Sequence, residues 1–381
     1  MKKFLSLMLA LAMVVACVAC GNTNTTSSDN ANDGNTDKGT LYIGATGPLT
    51  GDAASYGISV KEGAQIAVEE LNANGGINGM KVKFEIKDDE ADAEKASTAY
   101  NVLMDDGMQI ALGSVTTGAC LAFADLANED ELFFITPSAS AADVVKNKYA
   151  FRVCFGDPDQ GVIAAQELAS KYENIGVIYD NSDDYSTGVF KAFEGKMKEL
   201  NKTFTVKEFD AESNRDFSTQ VSQLKDCDVI FLPIYYTEAS LIAKEVAKIG
   251  SKAAIFGCDG LDGIKKALEG ATIENSIKYI TPFDATSTDA VSAKFTAAYQ
   301  AKYNKTPDQF AADGYDAIMV LAQAITKAGV ENADIEIADL SEKVYNVMTS
   351  ADFSFDGATG KMTWNAQGEP SKVPVIVDLS K

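Results

Sequence analysis

From Thr40 onward the chain alternates, almost without interruption, between a short apolar run, a turn rich in Gly, Pro, Thr or Asp, and a stretch of helical character. The runs are Leu41–Gly44, Val82–Ile86, Ile110–Leu112, Leu132–Ile135, Ile175–Tyr179, Val229–Leu232 and Ala254–Phe256. The helical stretches are Ser55–Asn74, Ala91–Asp106 and the segments near 158–173, 184–201, 217–225 and 237–249. Strands that read as continuous apolar runs are buried on both faces, which requires parallel sheets covered by helices. A helix between nearly every strand pair makes the class α/β, doubly wound. About 340 residues follow the first 39, too many for one core of usual size, so two lobes are expected. No repeat of 20–50 residues is visible.

In such sheets ligands bind beyond the carboxyl ends of the strands, where loops lead into helices. The loops so placed are Gly47–Gly57, Gly113–Gly118, Thr136–Ser140, Asp180–Gly188, Pro233–Glu238 and Gly257–Gly263. They carry hydroxyls, glycines, tyrosines and acidic residues, and no Lys or Arg.

Charge and composition then remove whole classes of activity. With 33 basic against 55 acidic side chains the formal charge is −22, so a nucleic-acid backbone would be repelled. The chain has no histidine, which rules out Ser-His-Asp and Cys-His hydrolases and His-ligated zinc. Cys120, Cys154, Cys227 and Cys258 show no CxxC or metal spacing and read as free, buried thiols, with disulfides in one of three pairings as the alternative. No cofactor is expected. Gly44–Gly51 lacks the Gly-Lys-Ser/Thr ending of a phosphate loop. Asp88-Asp89-Glu90 with Asp92 reads as a solvated strand end rather than a cation site. An enzyme using Cys120 or the Asp183-Asp184 pair lacks an activating base.

Residues 1–19 read as a secretory signal: Lys2 and Lys3, then an apolar run to Ala19, short of the about 20 residues a membrane span needs. Val18-Ala19-Cys20-Gly21 resembles the lipobox of bacterial lipoproteins, with Cys20 as the lipidated residue and Cys17 as a second, offset match. Asn22–Gly39 is almost purely Asn, Thr, Ser, Asp and Gly, and cannot offset the entropy of ordering. As a flexible tether it would reach roughly 24 Å.

A series of segments resembles the branched-chain amino-acid-binding proteins of ABC transporters: Ile43–Gly51, Tyr56-Gly57, Gly75–Gly79, Ile135–Ser140, Asp159–Gly161, Tyr185–Gly188 and Asp216–Ser218. The resemblance runs through essentially the whole chain after residue 40. It implies a type I periplasmic binding fold, two Rossmann-like lobes joined by a three-strand hinge that closes over the ligand. The lobes would be 40–156 with 282–362, and 157–281 with 363–381. It also implies a monomer, held at the membrane by its lipid, that hands an apolar amino acid to ABC transporter permease subunits. Short amides, urea and aromatic acids are alternative ligands, and a ligand-sensing receptor subunit is an alternative role.

An amino acid brings a carboxylate, an ammonium and a side chain, and each needs a partner. Neither Arg152 nor Arg215 lies in a strand-end loop, so backbone N–H groups and hydroxyls at helix starts must serve the carboxylate. Val115, Thr116 and Thr117 open one helix, and Ser138, Ala139 and Ser140 are expected to open another. The resemblance assigns the carboxylate to Thr117 and Ser140, and the ammonium to Asp259, followed by Gly260, at a position where relatives commonly carry Glu. Tyr56, Tyr185, Tyr235 and Phe310 fall on positions that line the side-chain pocket. Alone, Thr117 and Ser140 would read as helix caps and Asp259-Gly260 as a turn.

Overall fold

The computed structural model describes residues 38–379; the expected signal segment, Cys17, Cys20 and the expected tether as far as Asp37 lie outside the described residues. The first sheet contains β1 (Thr40–Gly47), β2 (Lys81–Asp88), β3 (Ile110–Gly113), β4 (Phe134–Thr136) and β5 (Ala150–Arg152), all parallel in the order β2-β1-β3-β4-β5. Between these strands run α1 (Ala54–Ala73), α2 (Ala93–Asp105) and α3 (Thr117–Glu129). Successive residues of β1 serve opposite faces. Leu41, Ile43 and Ala45 join one core, while Tyr42 packs with Tyr100, Leu103 and Phe123 in the other. That division explains why the strand reads as an unbroken apolar run.

The chain then crosses into a second sheet. Its strands β6 (Ile175–Asp180), β7 (Thr205–Phe209), β8 (Val229–Leu232), β9 (Ala254–Gly257) and β10 (Ile277–Thr281) are again parallel. Its helices are α4 (Asp157–Lys171), α5 (Asp184–Glu199), α6 (Ser218–Gln223), α7 (Tyr236–Lys248) and the single turn α8 (Ile264–Ala267). Ile230 and Leu232 face one core and Val229 and Phe231 the other.

After β10 the chain returns to the first sheet through α9 (Ala290–Tyr303), α10 (Gln309–Lys327) and α11 (Ile337–Met348), whose apolar faces join the core beneath β1. Gly63 of α1 lets that helix meet α10 backbone to backbone; a Cβ there would lie 1.8 Å from the Ala311 carbonyl oxygen. A hairpin of β11 (Phe355–Gly357) and β12 (Gly360–Met362) follows, its turn fastened by Ala358 and Thr359 N–H groups donating to Asp316. A last crossover delivers β13 (Val375–Asp378), antiparallel to β10, giving the second sheet the order β13-β10-β9-β8-β6-β7.

One expectation is corrected here. Ser138–Ser140 do not open an α-helix; only a short 3-10 turn, Ala142–Val145, follows them. The parallel strands β4 and β5 are joined by residues 137–149, and that 3-10 turn is the one helical piece of the connection.

Candidate functional site

Strand order changes direction between β1 and β3 and again between β6 and β8, the switch points where doubly wound sheets leave a crevice. Residues from both sheets converge there on one cavity lined by Tyr56, Val115, Thr116, Thr117, Ser138, Ser140, Tyr185, Tyr235, Asp259, Gly260 and Phe310. Ala139 is the exception among the twelve sequence candidates. It is fully buried, its methyl belongs to the core against α2 and α3, and its N–H bonds to Thr136 Oγ1 at 3.1 Å.

Local chemistry places each wall. Asp88 Oδ1 accepts the Leu49 N–H at 2.8 Å and Oδ2 the Thr50 hydroxyl at 2.7 Å, shaping the loop that leads to Tyr56. Asp89 bonds Ala91 N–H and the Ser114 hydroxyl, and Asp92 caps α2. The acidic cluster is therefore turn structure, and no metal-binding group of side chains occurs among the described residues. Asp183 caps α5 through Ser186 N–H at 2.8 Å and so presents Tyr185 in the first turn. Gly260 has no side chain to spare room for: a Cβ would lie 2.9 Å from both the Ile234 carbonyl and the Tyr185 hydroxyl.

The aromatic side is a continuous wall. Tyr56 packs on Phe310 with centroids 4.2 Å apart and meets Tyr235 edge-on at 5.6 Å, while Tyr185 and Tyr235 stack at 5.0 Å. The halves also touch through polar groups. The Tyr56 hydroxyl donates to the Gly260 carbonyl at 2.5 Å and accepts the Tyr236 N–H at 3.0 Å. At the rim Arg215 pairs with Asp52, and the Thr237 hydroxyl donates to the Asp52 carbonyl at 2.8 Å. The room enclosed is about 10 Å³, on the scale of one water molecule.

Asp259 is the acid of this cavity. It is 5% exposed, and its Oδ1 accepts the Tyr185 hydroxyl at 2.8 Å. Burial raises its carboxyl from 3.8 to about 6, against the pull of the Tyr185 and Gln160 hydrogen bonds. Its N–H donates to Gln160 Oε1 at 3.1 Å and its carbonyl accepts Gln309 Nε2 at 2.8 Å. The hydroxyl side is quieter. Ser138 Oγ donates to the Val115 carbonyl at 2.7 Å, and Ser140 N–H donates to Thr117 Oγ1 at 3.2 Å. Thr116 Oγ1 is buried without a hydrogen bond.

Three flanking residues escaped the sequence reading as site residues. Gln160 and Gln309 hold the Asp259 peptide from two sides. Asp157, in the first turn of α4, is buried with neither oxygen hydrogen-bonded, and burial pushes its carboxyl well up. The sequence signal for Gln160 was present in Asp159-Gln160-Gly161; Gly156-Asp157-Pro158 reads as an ordinary helix start. Cys120 is fully buried and its thiol is pushed up to about 12 by that burial, so it has no nucleophilic character. Cys154 and Cys258 are also free and buried, and Cys227, likewise free, is half-buried.

Comparison with known proteins agrees with this fold. The Leu/Ile/Val-binding protein BraC3 of Rhizobium johnstonii is 29% identical over 328 residues, covering 85% of this chain and 89% of the relative. Among solved structures, the leucine binding protein LivK from Thermotoga maritima is 29% identical with a TM-score of 0.79, over 88% of this chain and 94% of that one. The branched-chain amino acid transporter substrate binding protein LivJ from Streptococcus pneumoniae, in complex with isoleucine, is 28% identical with a TM-score of 0.75, over 89% and 99%. The periplasmic binding protein profile matches residues 40–373, and the chain belongs to that family, one of binding proteins rather than enzymes.

Proposed function

We propose that this protein captures an apolar, branched-chain amino acid between two lobes, 40–156 with 282–362 and 157–281 with 363–381, and presents it to an ABC importer. The observation that carries the reading is Asp259, the one carboxylate among the residues lining an aromatic-walled cavity to which both sheets contribute, facing hydroxyls across it. A zwitterion fits that polarity. Its ammonium takes the Asp259 oxygen now bonded to the Tyr185 hydroxyl, its carboxylate meets Thr116, Thr117 and Ser140, and its side chain lies against Tyr56, Tyr235 and Phe310. A carboxylic acid without an amine would leave Asp259 unpaired in a buried place, which disfavours aromatic acids. Urea and short amides would leave the aromatic wall uncovered.

A cavity this small holds no amino acid as it stands, so the lobes part and the lining side chains give way to admit one, and capture is closure around the ligand, a population shift driven by contacts made to both lobes at once. The family places the protein outside the cytoplasm. We assign Cys20 as the lipid anchor, residues 21–39 as the tether, the permease subunits as the partner and a monomer as the working form. Among the described residues no helix is long and apolar enough to cross a membrane.

The test is a thermal-shift and calorimetric screen of the purified protein against amino acids, short amides and benzoate. Leucine, isoleucine or valine should raise Tm by mass action, and Asp259→Ala should abolish that rise while the fold persists. Equal binding by the Asp259→Ala protein would remove the ammonium role, and a response to amides or benzoate alone would overturn the ligand class.

A further inference from the structure

Arg152 ends β5 and is fully buried, yet it does not reach the ligand cavity. Its charge is paired. Nε donates to Glu369 Oε2 at 2.8 Å and Nη2 to Oε1 at 2.5 Å, a two-pronged pair with a residue of the last crossover. Nη1 does something different: it donates to the carbonyls of Ala139 at 3.4 Å and Ala141 at 3.1 Å, the residues on either side of Ser140. Because no α-helix follows Ser138–Ser140, this loop has no helical ladder to orient its peptide groups. The guanidinium supplies that orientation from below, and its rigid fork can bond a carboxylate and two carbonyls in one plane, which a lysine cannot.

The crossover that carries Glu369 is fastened to the same spot by other groups. Trp364 Nε1 donates to the Arg152 carbonyl at 2.7 Å, and Arg152 N–H donates to the Gly368 carbonyl at 3.2 Å. Lys372 donates to the Val153 carbonyl at 2.6 Å and pairs with Asp313 at 2.9 Å, both side chains being almost fully buried. The crossover therefore grips the end of β5, where the first crossover begins, and continues into β13 of the second sheet.

We propose that Arg152, held by Glu369, is a positioning residue that sets the peptides around Ser140 and ties the ligand loop to the last crossover, so that loop and hinge move as one piece. This rests on the placement of Ser140 at the ligand carboxylate.

The test is a double-mutant cycle in the full-length protein, read by calorimetry with L-leucine. Glu369→Gln and Arg152→Lys should each weaken binding about tenfold. Ser140→Ala keeps the peptide groups and removes only the hydroxyl, so in that background Glu369→Gln should weaken binding by clearly less than tenfold; a contribution to general stability would persist undiminished. A second measurement needs no ligand: hydrogen exchange of the segment 138–141 and of the Asp157 amide, which donates to the Ser140 carbonyl at 2.8 Å. Both should lose protection in Glu369→Gln while β1 keeps it. Unchanged protection, or a tenfold loss of affinity that recurs in the Ser140→Ala background, would overturn the proposal. A wild-type protein that binds no leucine would count against the ligand assignment, and the exchange result would still decide the positioning role.

Discussion

Tyr56→Phe isolates what closure gains from one oxygen atom. The ring stays, with its contacts to Phe310 and Tyr235, while the hydroxyl that bonds the Gly260 carbonyl and the Tyr236 N–H is deleted. Each lost bond is worth about 1 kcal/mol, and a buried partner left unpaired adds to that. When the lobes part, water replaces the hydroxyl at both backbone groups, so the loss falls on the closed form alone. About 2 kcal/mol off closure corresponds to a Kd for L-leucine about 30-fold weaker, at 1.4 kcal/mol per decade. The thermal stability of the ligand-free protein should change much less. Calorimetry on the purified variant measures the first quantity and a melt the second. A Kd within threefold of wild type would refute the argument that this hydroxyl fastens the two halves.

Three further outcomes follow from other parts of the molecule. Asp259 titrates at about 6 in the folded protein against an ordinary 3.8, so its protonated form contributes stability that is complete below about pH 4 and lost as pH rises through 6; an ammonium ligand favours the carboxylate instead. The rise in Tm caused by L-leucine should therefore grow between pH 5 and pH 7.5, and a flat or shrinking rise would contradict the role given to Asp259. Gly63→Ala should cost about 1–3 kcal/mol by forcing α1 from the Ala311 carbonyl, seen as a lower Tm; an unaltered Tm would contradict the close backbone approach. Cys20→Ser should move the protein from the membrane to the soluble fraction, and retention with lipid would transfer the anchor to Cys17 or remove it.

The legibility of the fold followed burial. Val229–Leu232 is a strand in the sequence reading and in the structure, because both faces of β8 are covered and no polar residue interrupts the run. The edge strand β7, with Thr205, Val206 and Glu208 exposed, has no such run and escaped notice. So did β5, three residues ending in a buried arginine, and β10, where Lys278 breaks the apolar pattern. At the site, loop positions follow from strand order, but the individual roles came from resemblance: nothing local separates Asp259-Gly260 from a common turn. Ala139 was carried along by its neighbours, although the turn of the backbone between Ser138 and Ser140 sends its methyl the other way. Asp157 and Gln309 were illegible because their importance arises only when distant segments meet.

The route of the chain has a further consequence. The first sheet is covered by helices that come after β10, and the second receives its outer strand only at residues 375–378. Neither half can be finished from the segment that builds most of it. While the protein is still emerging, both halves lack a wall: apolar surface under β1 stays uncovered until α9, α10 and α11 arrive, and the edge of β10 until residues 375–378 do. The two halves are thus completed together, so neither becomes a finished body ahead of the other.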